Sequence, residues 1–295
     1  MPGRTARRRA VAAQRAGRKS WPVRSACEDH RGGDRRVTRL HTTFLCENAT
    51  LFGTLDTAPF TTGLLLVSGG NEIRSGTWAG QAQMAARVAA AGFPVFRYDR
   101  RGVGDSEGEN ADFRGSEADI RAALAAFRAA APQLERIVAF GNCDAAAALM
   151  LFGARLELDG LVLANPWTID GEEAPDTMPA SVIRSRYLAK LANPREVWRL
   201  LNGGVNLAKL ARGLKSAASS GPGPSPLVER MRAGLDAFQG PVSILLAARD
   251  RTAQMFAECW RSDDPRVARL DSNSHSFSDD AARDWLFERI IEQLR

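Results

Sequence analysis

Arg136-Ile137-Val138-Ala139-Phe140-Gly141-Asn142-Cys143-Asp144-Ala145-Ala146 passes from an apolar, strand-forming run into an alanine-rich helix within about two residues. A turn that tight needs small residues on either side of its apex. Gly141 and Ala145 supply them, and the residue between is then held in a strained conformation with its side chain exposed. This is the pattern of a nucleophile elbow, with Cys143 at the apex. A thiol at the start of a helix lies beside unpaired backbone N–H groups and the positive end of the helix dipole, both of which favour thiolate over thiol. Free cysteine is also common as a small buried residue, but the strand-turn-helix setting outweighs that reading.

Outward from this turn the chain alternates. Upstream, residues 42–46 and 50–56 read as a hairpin around Glu47-Asn48, and residues 63–68 form an apolar run ending in Gly69-Gly70-Asn71. Residues 77–91 predict a helix closed by Gly92, residues 94–98 a buried strand, and residues 116–131 a helix with Ser116 as cap and Pro132 as stop. Downstream follow a helix (145–152), strands at 160–164, 242–247 and 267–270, and a last helix at 279–294. Apolar runs of four or five residues suit strands buried on both faces, and strands alternating with helices imply a mostly parallel, doubly wound α/β sheet.

Residues 167–238 break the rhythm with three separate helical clusters, as an inserted lid would. The linker Ser219-Ser220-Gly221-Pro222-Gly223-Pro224-Ser225-Pro226 suits a hinge rather than a helix or a central strand. Trp198, Tyr187 and the leucines of this region suit either an apolar acyl pocket or ordinary packing.

A thiol nucleophile needs a base, and His275 is the one histidine in the core region; His30 and His41 precede it. The base needs an orienting carboxylate, and Asp250 follows the strand at 242–247, where the carboxyl edge of such a sheet opens. Asp271 competes for the role, and Asp250 is equally placed to cap a following helix. The acid lies 107 residues after Cys143 and the histidine 25 residues after the acid, the order nucleophile, acid, histidine. The oxyanion formed by attack on a carbonyl needs two aimed donors. The Asp144 N–H is one; Gly70 N–H, with Gly69 or Asn71 as alternatives, is the other. The Asp144 side chain is unusual there, since its charge opposes an oxyanion; it is expected to bond Arg74 or a substrate cation, or to depress activity.

Composition narrows the classes. At 295 residues, 44% hydrophobic and 25% charged, the chain suits one large catalytic domain, with no apolar stretch of about 18 residues to span a bilayer. The net charge of +6 comes from residues 1–36, where eleven Arg or Lys face three acids; residues 37–295 sum to −2. That leader is expected to be an artefact of the assigned start, Val37 being the alternative, or a disordered basic tail. Nucleic-acid binding through it would be salt-dependent and lost on its removal, and is not expected of the folded part. Four cysteines without CxxC spacing (Cys27, Cys46, Cys143, Cys259) argue against a zinc ribbon or a disulfide framework and fit a reducing cytoplasm. With three histidines, no metal centre is expected, and no cofactor.

The chain resembles the α/β hydrolases, and within them exosortase A system-associated hydrolase 1. The likeness runs from about Arg39 to the C-terminus and is carried by Val67-Ser68-Gly69-Gly70-Asn71-Glu72-Ile73-Arg74-Ser75-Gly76, Phe96-Arg97-Tyr98-Asp99-Arg100-Arg101-Gly102-Val103-Gly104-Asp105-Ser106 and Gly141-Asn142-Cys143-Asp144-Ala145. The second of these is a structural loop beside the elbow, with Gly102 and Gly104 in turn conformations, and not a phosphate cradle. The resemblance implies an α/β-hydrolase fold, an esterase-like or acyltransferase role, and a link to exopolysaccharide production and protein sorting. Cys143 in place of serine and Ala145 in place of the final glycine depart from the broad hydrolase pattern, favouring thioester hydrolysis, lactone opening or acyl transfer over simple lipase activity. The expectation is a Cys143-His275-Asp250 enzyme acting on a small acyl substrate, with a catalytically silent hydrolase-fold binding protein as the alternative.

Overall fold

The strands form because their residues have two apolar surfaces to meet. In β3 (Thr62–Val67) all six residues are buried, and β4 (Val95–Tyr98) is buried throughout. β3 pairs in parallel with β4 on one side and with β5 (Arg136–Asn142) on the other, so both faces of its Leu64-Leu65-Leu66-Val67 run are covered. The computed structural model describes residues 38–170 and 225–295. The leader at 1–36, Val37, and residues 171–224 of the expected insertion, with Tyr187, Trp198 and most of the Pro-Gly linker, lie outside the described residues.

β1 (Arg39–Cys46) and β2 (Ala49–Asp56) make the expected hairpin about Glu47 and Asn48, with Glu47 at φ 52°. β6 (Gly160–Ala164), β7 (Val242–Ala247) and β8 (Val267–Leu270) complete an eight-stranded sheet in the order β1-β2-β4-β3-β5-β6-β7-β8. The β1/β2 and β2/β4 pairs are antiparallel and every other pair is parallel. This is the mostly parallel α/β sheet expected from the alternation of elements, in the α/β-hydrolase arrangement that the resemblance implies.

The described helices are α1 (Gly80–Ala90), α2 (Glu117–Ala130), α3 (Asp144–Phe152), α4 (Pro226–Ala237), α5 (Arg251–Cys259) and α6 (Asp280–Leu294). Because successive strand residues point to opposite faces, each central strand feeds two cores. Leu65, Ala139, Leu163 and Leu246 pack towards α2, α3, α4 and α5; Leu66, Phe140, Val162 and Leu245 pack towards α1 and α6. Burial of one such large apolar side chain contributes about 1.5–3 kcal/mol. No described helix is long and apolar enough to cross a membrane.

Several local expectations need correction. The first helix starts at Gly80 rather than residue 77, because Trp78 and Ala79 both adopt φ 57° and break the helical path. Ser116 does not cap α2: its own backbone is helical and its hydroxyl donates to the Phe113 carbonyl (2.8 Å). α5 was not anticipated. At the C-terminal end of the expected insertion, α4 is a core helix: Leu227, Val228, Met231 and Leu235 are buried, and a side chain at Gly234 would overlap the Met150 carbonyl of α3. Pro226 opens this helix at a position that needs no N–H, and Ser225 caps it by accepting from Val228 N–H.

Candidate active site

The carboxyl ends of β3, β5, β6, β7 and β8 lie side by side, and the loops leaving them assemble the site. The ladder continues past the strands: Cys143 N–H donates to Ala164 O (2.9 Å), Asn165 N–H to Leu245 O (2.9 Å), and Arg249 N–H to Ser272 O (2.8 Å). Residues far apart in sequence are thereby fixed along one edge of the sheet.

At the end of β5 the chain turns through Cys143 at φ 61°, ψ −122°, a conformation that costs a non-glycine residue about 1–3 kcal/mol. The turn is held by the bond to Ala164 and by the Cys143 carbonyl, which accepts from Ala147 N–H (3.2 Å) and Trp167 N–H (3.1 Å). A Cβ at Gly141 would lie 2.7 Å from the Ala145 carbonyl carbon and 2.9 Å from its oxygen, so this position admits only glycine without a shift of α3. Cys143 itself is half-buried at the N-terminus of α3.

His275 Nδ1 lies 3.0 Å from Asp250 Oδ2, and Cys143 is near enough to the imidazole to act on its charge. The bond to Asp250, the larger influence, and the neighbouring Cys143 outweigh partial burial and push the His275 pKa up to about 10. The imidazolium is therefore the preferred form of His275 at neutral pH. Asp250 is buried and also caps α5 through Ala253 N–H (3.0 Å). Asp271 does not bond His275: its side chain is 83% exposed and pairs with Arg249 (2.9 Å).

Two residues that carried no sequence-level assignment hold the histidine loop. Asn165 is fully buried at φ 42° after β6; its amide donates to the His275 carbonyl (2.9 Å) and its oxygen accepts from Ala247 N–H (2.9 Å). Asn142 donates to the same His275 carbonyl (3.2 Å), and its oxygen accepts from Asn165 (3.3 Å). One sequence signal was available: an asparagine directly after an apolar strand, where a buried side chain must find partners.

The oxyanion loop is arranged differently from expectation. Gly70, at φ 54°, follows β3, but its N–H donates to Asp144 Oδ1 (2.7 Å). Asp144 does not meet Arg74, which bonds Asp99 and Thr54 instead. Its charged neighbour is Arg100 of the Asp99–Ser106 loop, 3.6 Å from Oδ2, and Arg100 also donates to the Gly70 carbonyl. Burial raises the Asp144 carboxyl above its ordinary pKa, opposed by Arg100 and by the Gly70 and Ala145 amides. Gly102 and Gly104 in that loop adopt φ 68° and 59°.

A cavity of about 530 Å³ opens beside the elbow, lined by Asn142 and Ser276, the neighbours of Cys143 and His275, and by Leu66, Met84, Phe140 and Phe277. Among the described residues no group of three or more His, Cys, Asp or Glu is placed to hold a metal ion.

Comparison with known proteins agrees with this architecture. A family model described as the alpha/beta hydrolase family matches residues 64–289. An esterase from Pyrococcus furiosus superposes with a TM-score of 0.57 at 17% identity, over 88% of this chain and 91% of that one. An alpha/beta hydrolase from Sphaerobacter thermophilus does so with a TM-score of 0.51 at 20% identity, over 86% and 100%. The thioesterase domain from the curacin biosynthetic pathway has a TM-score of 0.51 at 14% identity, over 86% and 99%. No curated protein matches.

Proposed function

Since this chain belongs to the alpha/beta hydrolase family, we propose that it hydrolyses an ester or thioester acyl substrate, with Cys143 as nucleophile, His275 as base and Asp250 as the orienting carboxylate. The observation that carries the reading is the bond of His275 to Asp250, together with the strained strand-to-helix turn that holds Cys143 at its apex.

The chemistry follows from the order in which the three side chains meet. With the thiol proton on His275, the Cys143 thiolate attacks the acyl carbonyl carbon; a C–S bond forms and the carbonyl π pair moves to oxygen. Collapse of this intermediate breaks the bond to the leaving alcohol or thiol, which takes the proton from His275. Neutral His275 then draws a proton from water, the hydroxide attacks the thioester, and the Cys143 thiolate and the free acid are released. An acceptor alcohol in place of water gives acyl transfer by the same steps. Esterase and thioesterase structural neighbours accord with either substrate. The free Cys46, Cys143 and Cys259 accord with a reducing compartment such as the cytoplasm. The link to exopolysaccharide and sorting systems rests on the three quoted motifs alone.

The test is intact-protein mass spectrometry after brief iodoacetamide treatment from about pH 5 to about pH 9, on the wild type, Cys143→Ala and His275→Ala. Fast labelling at Cys143 well below pH ~8, slowed in His275→Ala, is the expected result. Labelling no faster than an ordinary thiol and indifferent to His275 would favour a second reading, a binding protein without turnover. One observation speaks for that reading: the Gly70 amide is already held by Asp144.

A further inference from the structure

The donor that an oxyanion would need from the β3 loop is occupied by the protein's own carboxylate. Gly70 N–H donates to Asp144 Oδ1 over 2.7 Å, while Arg100 ties the other side of the same pair by donating to the Gly70 carbonyl and lying 3.6 Å from Asp144 Oδ2. Arg100 is 2% exposed, and its Nη1 has no hydrogen-bond partner among the described residues, so the guanidinium charge is fixed against this contact rather than dispersed in solvent. The neighbouring backbone is shaped for it: a Cβ at Gly69 would overlap Asp144 Oδ1 and lie 2.9 Å from the Asn142 carbonyl. The loop, the buried arginine and the carboxylate form one closed clamp.

We infer that Asp144 is a lock on the oxyanion hole, one that restrains turnover by withholding the Gly70 amide and by placing a negative charge where the oxyanion develops. The inference rests on the reading of Cys143 as nucleophile. The Asp144 N–H, at the first residue of α3 and without an intrahelical acceptor, remains as one backbone donor. Loss of a single oxyanion donor lowers turnover about 100- to 1,000-fold in hydrolases, so returning Gly70 N–H to the site should raise turnover substantially. Asp144 acts by what it holds closed and takes no proton in the reaction.

The experiment is steady-state hydrolysis of p-nitrophenyl acetate by the wild type, Asp144→Ala and Asp144→Asn, with His275→Ala added to each as background, and iodoacetamide labelling of Cys143 run in parallel. Asp144→Ala, which frees the amide and removes the charge, is expected to raise the His275-dependent kcat/KM about 10- to 100-fold. Asp144→Asn keeps an acceptor for Gly70 without the charge and is expected to fall between wild type and Asp144→Ala. A rate for Asp144→Ala no higher than wild type, with Cys143 labelling still fast and His275-dependent, overturns the lock and leaves the nucleophile standing. Ordinary, His275-independent labelling in the wild type overturns both, and so marks failure of the nucleophile itself. Should Asp144→Ala fail to give a cooperative melt, Asp144→Asn decides: a rate at or below wild type overturns the lock.

Discussion

One oxygen of Asp250, Oδ2, accepts hydrogen bonds from His275 Nδ1 and from the Ala253 backbone N–H, each over 3.0 Å. The carboxylate that orients the imidazole is therefore also the N-cap of α5, and helix placement and base placement are set by the same atom. The two roles separate by substitution. Asp250→Asn retains a capping oxygen and should keep most of the stability, whereas Asp250→Ala should lose about 1 kcal/mol from the cap. Both should slow iodoacetamide labelling of Cys143 at neutral pH. Thermal melts and labelling rates on the two variants check this, and normal labelling in Asp250→Asn would detach Asp250 from the base.

His275 makes stability depend on pH in a stated direction. Its folded pKa is raised to about 10, so the folded state binds the proton more tightly than the unfolded chain does. The resulting stabilisation is fully present below the ordinary histidine value near 6.5 and is lost as pH rises through about 10. Urea midpoints of the wild type are expected to fall across that window, and His275→Ala should flatten that fall. An equal slope in both proteins would place its origin elsewhere.

Asn165 is a positioning residue whose side chain spans the loops after β5 and β8 and the end of β7. Asn165→Asp turns a donor into an acceptor facing the His275 carbonyl and should destabilise by about 1–3 kcal/mol. Asn165→Gly relieves the positive φ but removes the amide. It is expected to retain more stability than Asn165→Asp while shifting the pH profile of Cys143 labelling towards that of an ordinary thiol. A wild-type profile in Asn165→Gly would reduce Asn165 to a purely structural role.

The elbow tolerates change at one side and not at the other. A side chain at Gly141 meets the Ala145 backbone below 3.0 Å, so Gly141→Ala should destabilise by about 1–3 kcal/mol through forced backbone movement. Ala145 already fits, fully buried in the first turn of α3. Ala145→Gly should cost about 0.5–1 kcal/mol, the helix penalty of glycine, and leave labelling at Cys143 unchanged. Denaturation midpoints for the two variants give the comparison.

The legible parts were those governed by local pattern. The central strands read as apolar runs because both faces of the sheet are covered, and the elbow read from Gly141, Cys143 and Ala145 because close strand–helix contact leaves few residue choices. Helix α5 escaped notice because Ala253 and Phe256 are its only buried residues over nine positions, too few to show a helical period. Its one signal was Asp250, which read as a helix cap as readily as an orienting carboxylate and fills both places. Ser116 had the composition of a cap but not the extended backbone a cap requires.

Sequence by itself determined the order of strands and helices, the residue at the apex of the turn, and the succession of Cys143, Asp250 and His275, since each follows from apolar periodicity, small-residue placement and chain order. Only the tertiary structure showed which carboxylate meets His275: Asp250, after β7, is buried against it, whereas Asp271, after β8, is exposed and pairs with Arg249. It alone joined Asn165 to His275 across 110 residues and Asp144 to Gly70 across 74. A hydrogen bond depends on distances of a few tenths of an ångström and on direction. Those are set by how the sheet edge aligns five loops, a quantity no single stretch of chain encodes.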